Sequence, residues 1–309
     1  MLKLGDQICP FCSGSALIRF KAEAYDSSSN CVNVVECTLC QVGWQWPIQR
    51  TETQSAEIFN RSYSEHEDGT YFDIAKREAV ATCQREFVEA HRRTPGRLLD
   101  IGCGDGTFGK NLAAAGWTVV GLDPALQTKA THRFTSGSLT LRNESIVDMP
   151  SDALFDVITL WDVVEHIEKP DQLIADAAAR LAPGGILVVE TGNYQSAGRL
   201  QSKSKWWNFQ LDHRWYFAPP QLSALLKNVG LSQIVVADRV LRPSWKGKAD
   251  ALFPRPAGLI KSIIRRPWRA IDLWRSHNAL VDGCRRWKGW SGLEIMTLVG
   301  RKAADERSA

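Results

Sequence analysis

The sequence predicts an α/β fold, a doubly wound sheet of mostly parallel strands, on three observations. An apolar run, Leu98-Leu99-Asp100-Ile101, breaks into Gly102-Cys103-Gly104-Asp105-Gly106. It resumes as the helical pattern Phe108, Leu112, Ala113 and Ala115, closed by Gly116. That is strand, tight turn, helix. A second buried strand follows at Phe155-Asp156-Val157-Ile158-Thr159-Leu160, and Leu181-Ala182-Pro183-Gly184-Gly185 turns a later helix into the strand Ile186 to Glu190. Strands alternating with helices in this way build parallel sheets, which bind ligands beyond the carboxyl ends of their strands.

The 309 residues allow one large domain with an appendage, or two domains, and a net charge of +4 is mild for that length. Met1-Leu2-Lys3-Leu4-Gly5-Asp6 lacks the apolar core of a secretory signal. No apolar run approaches the length of a membrane span. A cytoplasmic, reducing location is the expectation, and it reads the eight cysteines as metal ligands or core residues rather than disulfides.

Residues 1–48 are expected to form a zinc ribbon-like module. Cys9-Pro10-Phe11-Cys12 and Cys37-Thr38-Leu39-Cys40 are two C-x-x-C knuckles. Between and after them Val32, Val34 and Glu36, then Trp44 and Trp46, alternate as strands do. Four thiolates so spaced suit one tetrahedral structural zinc with no open position, and hence no catalytic role. A segment this short has little core, so the metal would supply much of its folding energy.

Residues 49–95 read as a helical linker. Its helix, over 71–93, would bury Phe72, Ala75, Ala79, Cys83, Phe87 and Ala90, either as plain core or as a lid that brings Tyr63 or Tyr71 near a substrate. Residues 96–241 form the main α/β unit. Its second strand, Trp117 to Leu122, ends in Asp123, and a short third strand around Leu139-Thr140-Leu141 precedes Asp148-Met149-Pro150. After Ile186 to Glu190 comes a loop rich in aromatic residues, Trp206-Trp207-Asn208-Phe209 and Asp212-His213-Arg214-Trp215-Tyr216-Phe217. It could hold an acceptor and exclude water, or be a hydrophobic plug. Pro219-Pro220 then starts a helix, and Leu231 to Val236 is the next strand.

Residues 242–290 are expected to be a basic, amphipathic helical insert, with twelve Lys or Arg against three Asp and an apolar stripe that includes Ile260, Ile264, Trp268, Ile271 and Trp274. Such a stripe packs on the protein's own core, makes a homodimer contact, or, through residues 257–288, lies on the inner face of an anionic membrane. Residues 291–302 carry the final strand, and 303–309 a polar tail.

Two ligands compete for the glycine turn. Gly104, Gly106 and Gly109 satisfy G-x-G-x-x-G, the dinucleotide pattern. A pyrophosphate, however, wants bare backbone N–H groups, and Asp100 and Asp105 flank this turn. S-adenosylmethionine carries a sulfonium and an ammonium and no phosphate, so it fits better. In that reading Asp100, Gly102, Gly104 and Gly106 form the donor turn and Asp123 accepts from the ribose hydroxyls. Asp148 and Met149 hold the adenine, and Trp161 joins the donor pocket.

Taken in order, these motifs resemble the class I S-adenosylmethionine-dependent methyltransferases over roughly residues 70 to 240 and again near the C-terminus. The resemblance implies a Rossmann-like, seven-stranded sheet with the last strand antiparallel. Trp161-Asp162-Val163-Val164-Glu165-His166 would lie where donor and acceptor meet. One of Glu165, His166 and His213 could take the acceptor proton, or Asp162, Glu165 and His166 could hold a second, divalent ion. The D-x-x-E-H run with a late H-x-W-x-F is similar to the ubiquinone-biosynthesis type of O-methyltransferase, whose pattern is E-x-x-E-H and T-H-x-W-x-x-F. The departures are Asp162, Asp212 and a one-residue shorter step from Trp215 to Phe217. The zinc knuckles instead resemble those of methyltransferases in bacterial polysaccharide and deoxysugar pathways. The favoured acceptor from sequence is therefore a hydroxyl of a sugar, glycan or other small molecule, with a quinone or phenol as the alternative. A non-catalytic donor-binding scaffold and a nucleic-acid methyltransferase are the readings from other classes. Against nucleic acid, Leu160-Trp161-Asp162-Val163 stands where the Asn/Asp-Pro-Pro-Tyr/Phe signature of amino-group methylation belongs.

Overall fold

The computed structural model describes residues 8–24, 27–46, 74–126, 129–237 and 294–304. Tyr63, Tyr71, Phe72, the insert 242–290 with its dimer and membrane-surface readings, and residues 305–309 lie outside the described residues. Among the described residues no helix is long and apolar enough to cross a membrane.

The main sheet forms around β4 (Arg97–Ile101), with β5 (Thr118–Leu122) and β7 (Ser138–Arg142) on one side and β8 (Phe155–Trp161) and β9 (Leu181–Gly192) on the other, all parallel. β12 (Ile295–Arg301) enters antiparallel beside β9, and β11 (Ser232–Val236) pairs antiparallel with β12. These are the seven strands expected. An eighth, β6 (Ala130–Arg133), adds antiparallel to the β7 edge, so the order is β11-β12-β9-β8-β4-β5-β7-β6. β6 reads Ala-Thr-His-Arg and is mostly exposed, which is why hydrophobic patterning does not reveal it. The central strands are buried on both faces, as parallel strands covered by helices must be. Leu98, Leu99, Val157, Ile158, Leu187 and Val188 have no exposed surface.

Helices cover the sheet. α1 (Ile74–His91) and α2 (Thr107–Ala114) pack together, α3 (Pro170–Ala179) starts at its proline as expected, α4 (Ala197–Ser202) is a short turn, and α5 (Pro219–Asn228) ends before β11. The buried face of α1 differs from the expected one. Ala81, Gln84, Phe87 and Val88 are buried, Ala79 and Cys83 are half-buried and Ala90 is exposed. Alanines bury little area, so Phe87 and Val88 set the helix's rotation and draw Gln84 inward.

A second sheet comes from the N-terminal segment: β1 (Ala16–Ala24), β2 (Ser27–Cys37) and β3 (Gly43–Trp46), all antiparallel. Its fourth strand belongs to the main unit. β10 (Trp215–Tyr216) pairs with β3, Trp215 opposite Trp44 and Tyr216 opposite Gly43. The aromatic loop behaves as the plug. Trp206, Phe209 and Tyr216 are fully buried against Ala22, Val32 and Val34 of the N-terminal sheet.

Candidate active site

At the carboxyl end of β4 the chain needs a turn that leaves the sheet sharply. Gly102 adopts φ 73° and Gly106 φ 77°, a region L-residues with side chains avoid. At Gly102 a Cβ would also lie 2.5 Å from Val163 Cγ2, so only glycine lets the turn pass against the segment that follows β8. Backbone bonds from Gly102 and Cys103 N–H to the Leu122 carbonyl, at 2.7 and 3.1 Å, hold the turn against β5.

The acidic groups expected at the donor are arranged around it. Asp100 is buried and accepts from Thr159 Oγ1 at 2.7 Å. Burial, helped by the neighbouring Asp123 charge, pushes its carboxyl up to about 7. Asp123 bridges the turn: Oδ2 accepts from Gly104 N–H and Oδ1 from Ala125 N–H, each at 2.9 Å. Asp105 accepts from Thr107 N–H and Oγ1 and pairs with Arg77 of α1 at 2.5 Å. Arg77 offsets that charge, so the electrostatic case against a pyrophosphate rests on Asp100. Gly104 N–H is in addition committed to Asp123.

Asp148 is exposed, and its Oδ2 accepts from Ser145 N–H at 2.9 Å in a capping box, while Met149 beside it is buried. Trp161, at the end of β8, meets the edge of Phe108 at 5.4 Å, and its buried indole N–H has no hydrogen-bond partner.

β8 ends in a strained residue. Asp162 has φ 52°, and its N–H donates to the Glu190 carbonyl at 3.0 Å. Such outliers in non-glycine residues collect at functional sites. The chain then turns so that Glu165, His166 and His213 each present a ligand atom, all within 4.8 Å of one another. Asp162 is not in that set. His213, brought from 47 residues away by the loop, joins Glu165 and His166 of the trio expected from sequence, and the Asp162 charge acts on all three.

The closure is specific. The Glu165 carbonyl accepts from Arg214 N–H at 2.7 Å and Trp215 N–H at 3.2 Å, and Trp215 Nε1 donates to the Ile167 carbonyl at 2.8 Å. The two imidazoles meet edge to face at 4.7 Å. His213 Nδ1 is 3.0 Å from the Asn208 carbonyl, which can only accept, so Nδ1 carries the proton and Nε2 is bare in the neutral ring. His166 Nδ1 faces both the carbonyl and a carboxylate oxygen of Asp212, at 3.3 and 3.4 Å.

Electrostatics separate the three groups. Burial pushes Glu165 up to about 7 against the pull of His166, and its buried Oε2 has no hydrogen-bond partner. For His166 burial opposes the charge, but Asp212 and Glu165 outweigh it and hold the imidazolium above its usual range. Burial and the adjacent His166 push His213 down to about 4. Asp212 and Asn208, which orient the histidines, are partners that motif reading missed. Only their adjacency to His213 and Trp207 could have flagged them.

The four knuckle cysteines also converge. Cys9 Sγ lies 3.6 Å from Cys40 Sγ, Cys12 Sγ 3.4 Å from Cys37 Sγ, and all four sulfurs are within 4.8 Å. A tetrahedron with Zn–S bonds of about 2.3 Å has edges of about 3.8 Å. The donor set and spacing fit that ion. Leu39 and Cys40 N–H point at Cys37 Sγ, at 3.3 and 3.4 Å, as donors to a thiolate would.

A doubly wound sheet with a glycine turn, a carboxylate at the end of each of its first two strands and a Glu–His–His cluster beside them has the architecture of a class I methyltransferase. A family profile described as a methyltransferase domain matches residues 63–235, more than half the chain, and the chain belongs to that family. The ubiquinone biosynthesis O-methyltransferase of Xanthomonas axonopodis pv. citri is 28% identical over 190 residues, covering 55% of this chain and 77% of that protein. The protein of the same name in Azorhizobium caulinodans is 30% identical over 169 residues, covering 50% of this chain and 67% of that one. In Caulobacter sp. the match covers 49% of the relative. Among solved structures, a Burkholderia thailandensis 1,6-didemethyltoxoflavin-N1-methyltransferase with bound S-adenosylhomocysteine is 14% identical, with 90% of this chain and 97% of that one covered and a TM-score of 0.49. The protein is an S-adenosylmethionine-dependent methyltransferase.

Proposed function

We propose that the chain transfers the methyl group of S-adenosylmethionine to a hydroxyl oxygen, and that the acceptor is a phenol or quinol rather than the sugar hydroxyl expected from the knuckles. The observation that carries this is the Glu165–His166–His213 cluster at the carboxyl end of β8, with Glu165 and His213 buried and His166 half-buried. The names of the relatives support the phenolic acceptor over the sugar.

Asp100 and the turn of Gly102, Gly104 and Gly106 hold the donor, Asp123 its ribose, and Asp148, Met149 and Trp161 its adenine side. Transfer is an in-line displacement. The acceptor oxygen forms the new bond to the methyl carbon while the carbon–sulfur bond breaks and its electron pair leaves on sulfur, giving the neutral thioether. The sulfonium is already activated, so the protein contributes position and proton removal. Glu165, with its unpartnered oxygen and a carboxyl near 7, takes the hydroxyl proton, and the charge of His166 beside it favours the ionised, proton-accepting form against the effect of burial. Glu165, His166 and His213 also fit a divalent cation by donor chemistry, and such an ion when bound would lower the hydroxyl's pKa. Cys9, Cys12, Cys37 and Cys40 hold a structural zinc. The chain divides as 1–48, 49–95, 96–241, 242–290, 291–302 and 303–309.

Turnover with S-adenosylmethionine on catechol-type acceptors, compared with nucleotide sugars, tests the acceptor. Methylation of the first and not the second is expected, and the reverse returns the sugar reading. The donor assignment carries its own test. The donor's ammonium favours ionised Asp100, so donor affinity falls as pH drops below about 7, approaching roughly tenfold per pH unit. Calorimetry with S-adenosylhomocysteine from pH 5.5 to 8 measures this, and a flat profile removes Asp100 from the site.

A further inference from the structure

We infer that the N-terminal cysteine module is the brace that positions the acceptor side of the active site, so that zinc occupancy there governs methyl transfer without governing donor binding. The inference rests on the zinc reading of the four cysteines and on the role proposed for Glu165 and His213.

The argument starts from β10. Trp215 and Tyr216 directly follow His213 and Arg214, and their strand completes the N-terminal sheet rather than the main one. Every further tie is short. Gln45 N–H donates to the Arg214 carbonyl at 3.0 Å, and Gln45 Nε2 donates to the Gln210 carbonyl at 2.6 Å. Phe11, inside the first knuckle, meets Trp215 at 4.9 Å and Phe217 at 5.7 Å, both edge to face. Gln221 of α5 donates through Nε2 to the carbonyl of Cys40 itself. Tyr194, in the loop after β9, donates to Glu36 of β2 at 3.2 Å.

On its other side the start of this strand and the residue before it hold the site together, since Arg214 and Trp215 N–H both donate to the Glu165 carbonyl. Residues 208–215 are thus held between the knuckles and the Glu165–His166 turn. Two residues of strand cannot fix themselves, because pairing this short does not offset the entropy of ordering it. The knuckles are what make β3 and Phe11 rigid enough to serve as its template. The donor turn, by contrast, is built from β4, β5 and α2, which the knuckles do not touch through any of these bonds.

The test uses the full chain. Zinc content is measured as purified, zinc is removed with a chelator, and amide hydrogen exchange is followed alongside calorimetry with S-adenosylhomocysteine and turnover of catechol. Loss of zinc is expected to speed exchange at Arg214, Trp215 and Tyr216 by roughly tenfold or more. Affinity for S-adenosylhomocysteine is expected to stay within about twofold, and catechol turnover to fall and return when zinc, but not magnesium, is restored. A second variant cuts the brace and keeps the metal: Phe11→Ala, with full zinc, should reproduce the faster exchange at Trp215. Unchanged exchange at 214–216 in both the zinc-free protein and Phe11→Ala overturns the inference. So does parallel loss of donor binding, which would mean general unfolding. A chain that takes up no zinc overturns the zinc reading instead. Catechol left unmethylated in the zinc-loaded protein overturns the acceptor reading, while the exchange measurement still decides the brace.

Discussion

Asp123→Ala weakens binding of S-adenosylhomocysteine by roughly 10²- to 10⁴-fold, as two hydrogen bonds to a charged acceptor are lost at about 1.5–3 kcal/mol each. The carboxylate ends β5 and already accepts from Gly104 and Ala125 N–H, one on each oxygen. It therefore shapes the glycine turn as well as offering lone pairs to a ribose, and alanine leaves both N–H groups without their acceptor. Asp123→Asn separates the two contributions. The amide keeps one acceptor oxygen for the turn but sets its NH2 against the other N–H and loses the charge, so it should lose less affinity and less thermal stability than alanine. Calorimetry and thermal unfolding of both variants check this. Full donor affinity in a folded alanine variant would remove Asp123 from the site.

Glu165→Gln lowers kcat by roughly 10²- to 10³-fold on the preferred acceptor, in the range expected for loss of a positioned base. The pH dependence gives the sign. Burial holds the carboxyl up to about 7, so the basic form is present above that pH and lost below it. Wild-type kcat/KM should rise through about pH 7 and then level, and the variant's profile should be flat there. Stability runs the other way. A carboxyl raised in the folded state contributes most below its unfolded value and loses that contribution as pH rises through about 7. Glutamine is neutral throughout, so Glu165→Gln should unfold at a higher temperature than wild type at pH 8, with the difference closing toward pH 5. A variant that is slower yet more stable at alkaline pH would identify Glu165 as a group whose burial is tolerated for its chemistry. A wild-type pH profile retained in Glu165→Gln would assign the base elsewhere in the cluster.

Much of the fold was legible along the chain because its signals are local. Glycine alone tolerates the left-handed backbone at 102 and 106, and a proline at 170 starts α3 where its missing N–H costs nothing. The buried parallel strands announce themselves as apolar runs, and two C-x-x-C knuckles bring their own thiols within reach of one another. β1 carries a local signal too, since Ile18, Phe20 and Ala22 alternate with Arg19, Lys21 and Glu23.

Sequence by itself determined the strand–turn–helix of the donor side and where the sheet's main strands fall along the chain, because each depends on backbone preference or hydrophobic period within a few residues, and the resemblance of its motifs supplied the candidate residues for proton transfer. Tertiary structure alone decided how those candidates combine. His213 joins Glu165 and His166 because Arg214 and Trp215 bond the Glu165 carbonyl across a loop no period describes. The rotation of α1 and the edge strand β6 were settled by packing and pairing at the periphery. β10 has only two residues, too few for any pattern, and exists because β3 offers it an open edge. Contacts between segments distant in sequence depend on which surfaces meet, and that is fixed only when the whole chain closes on its core.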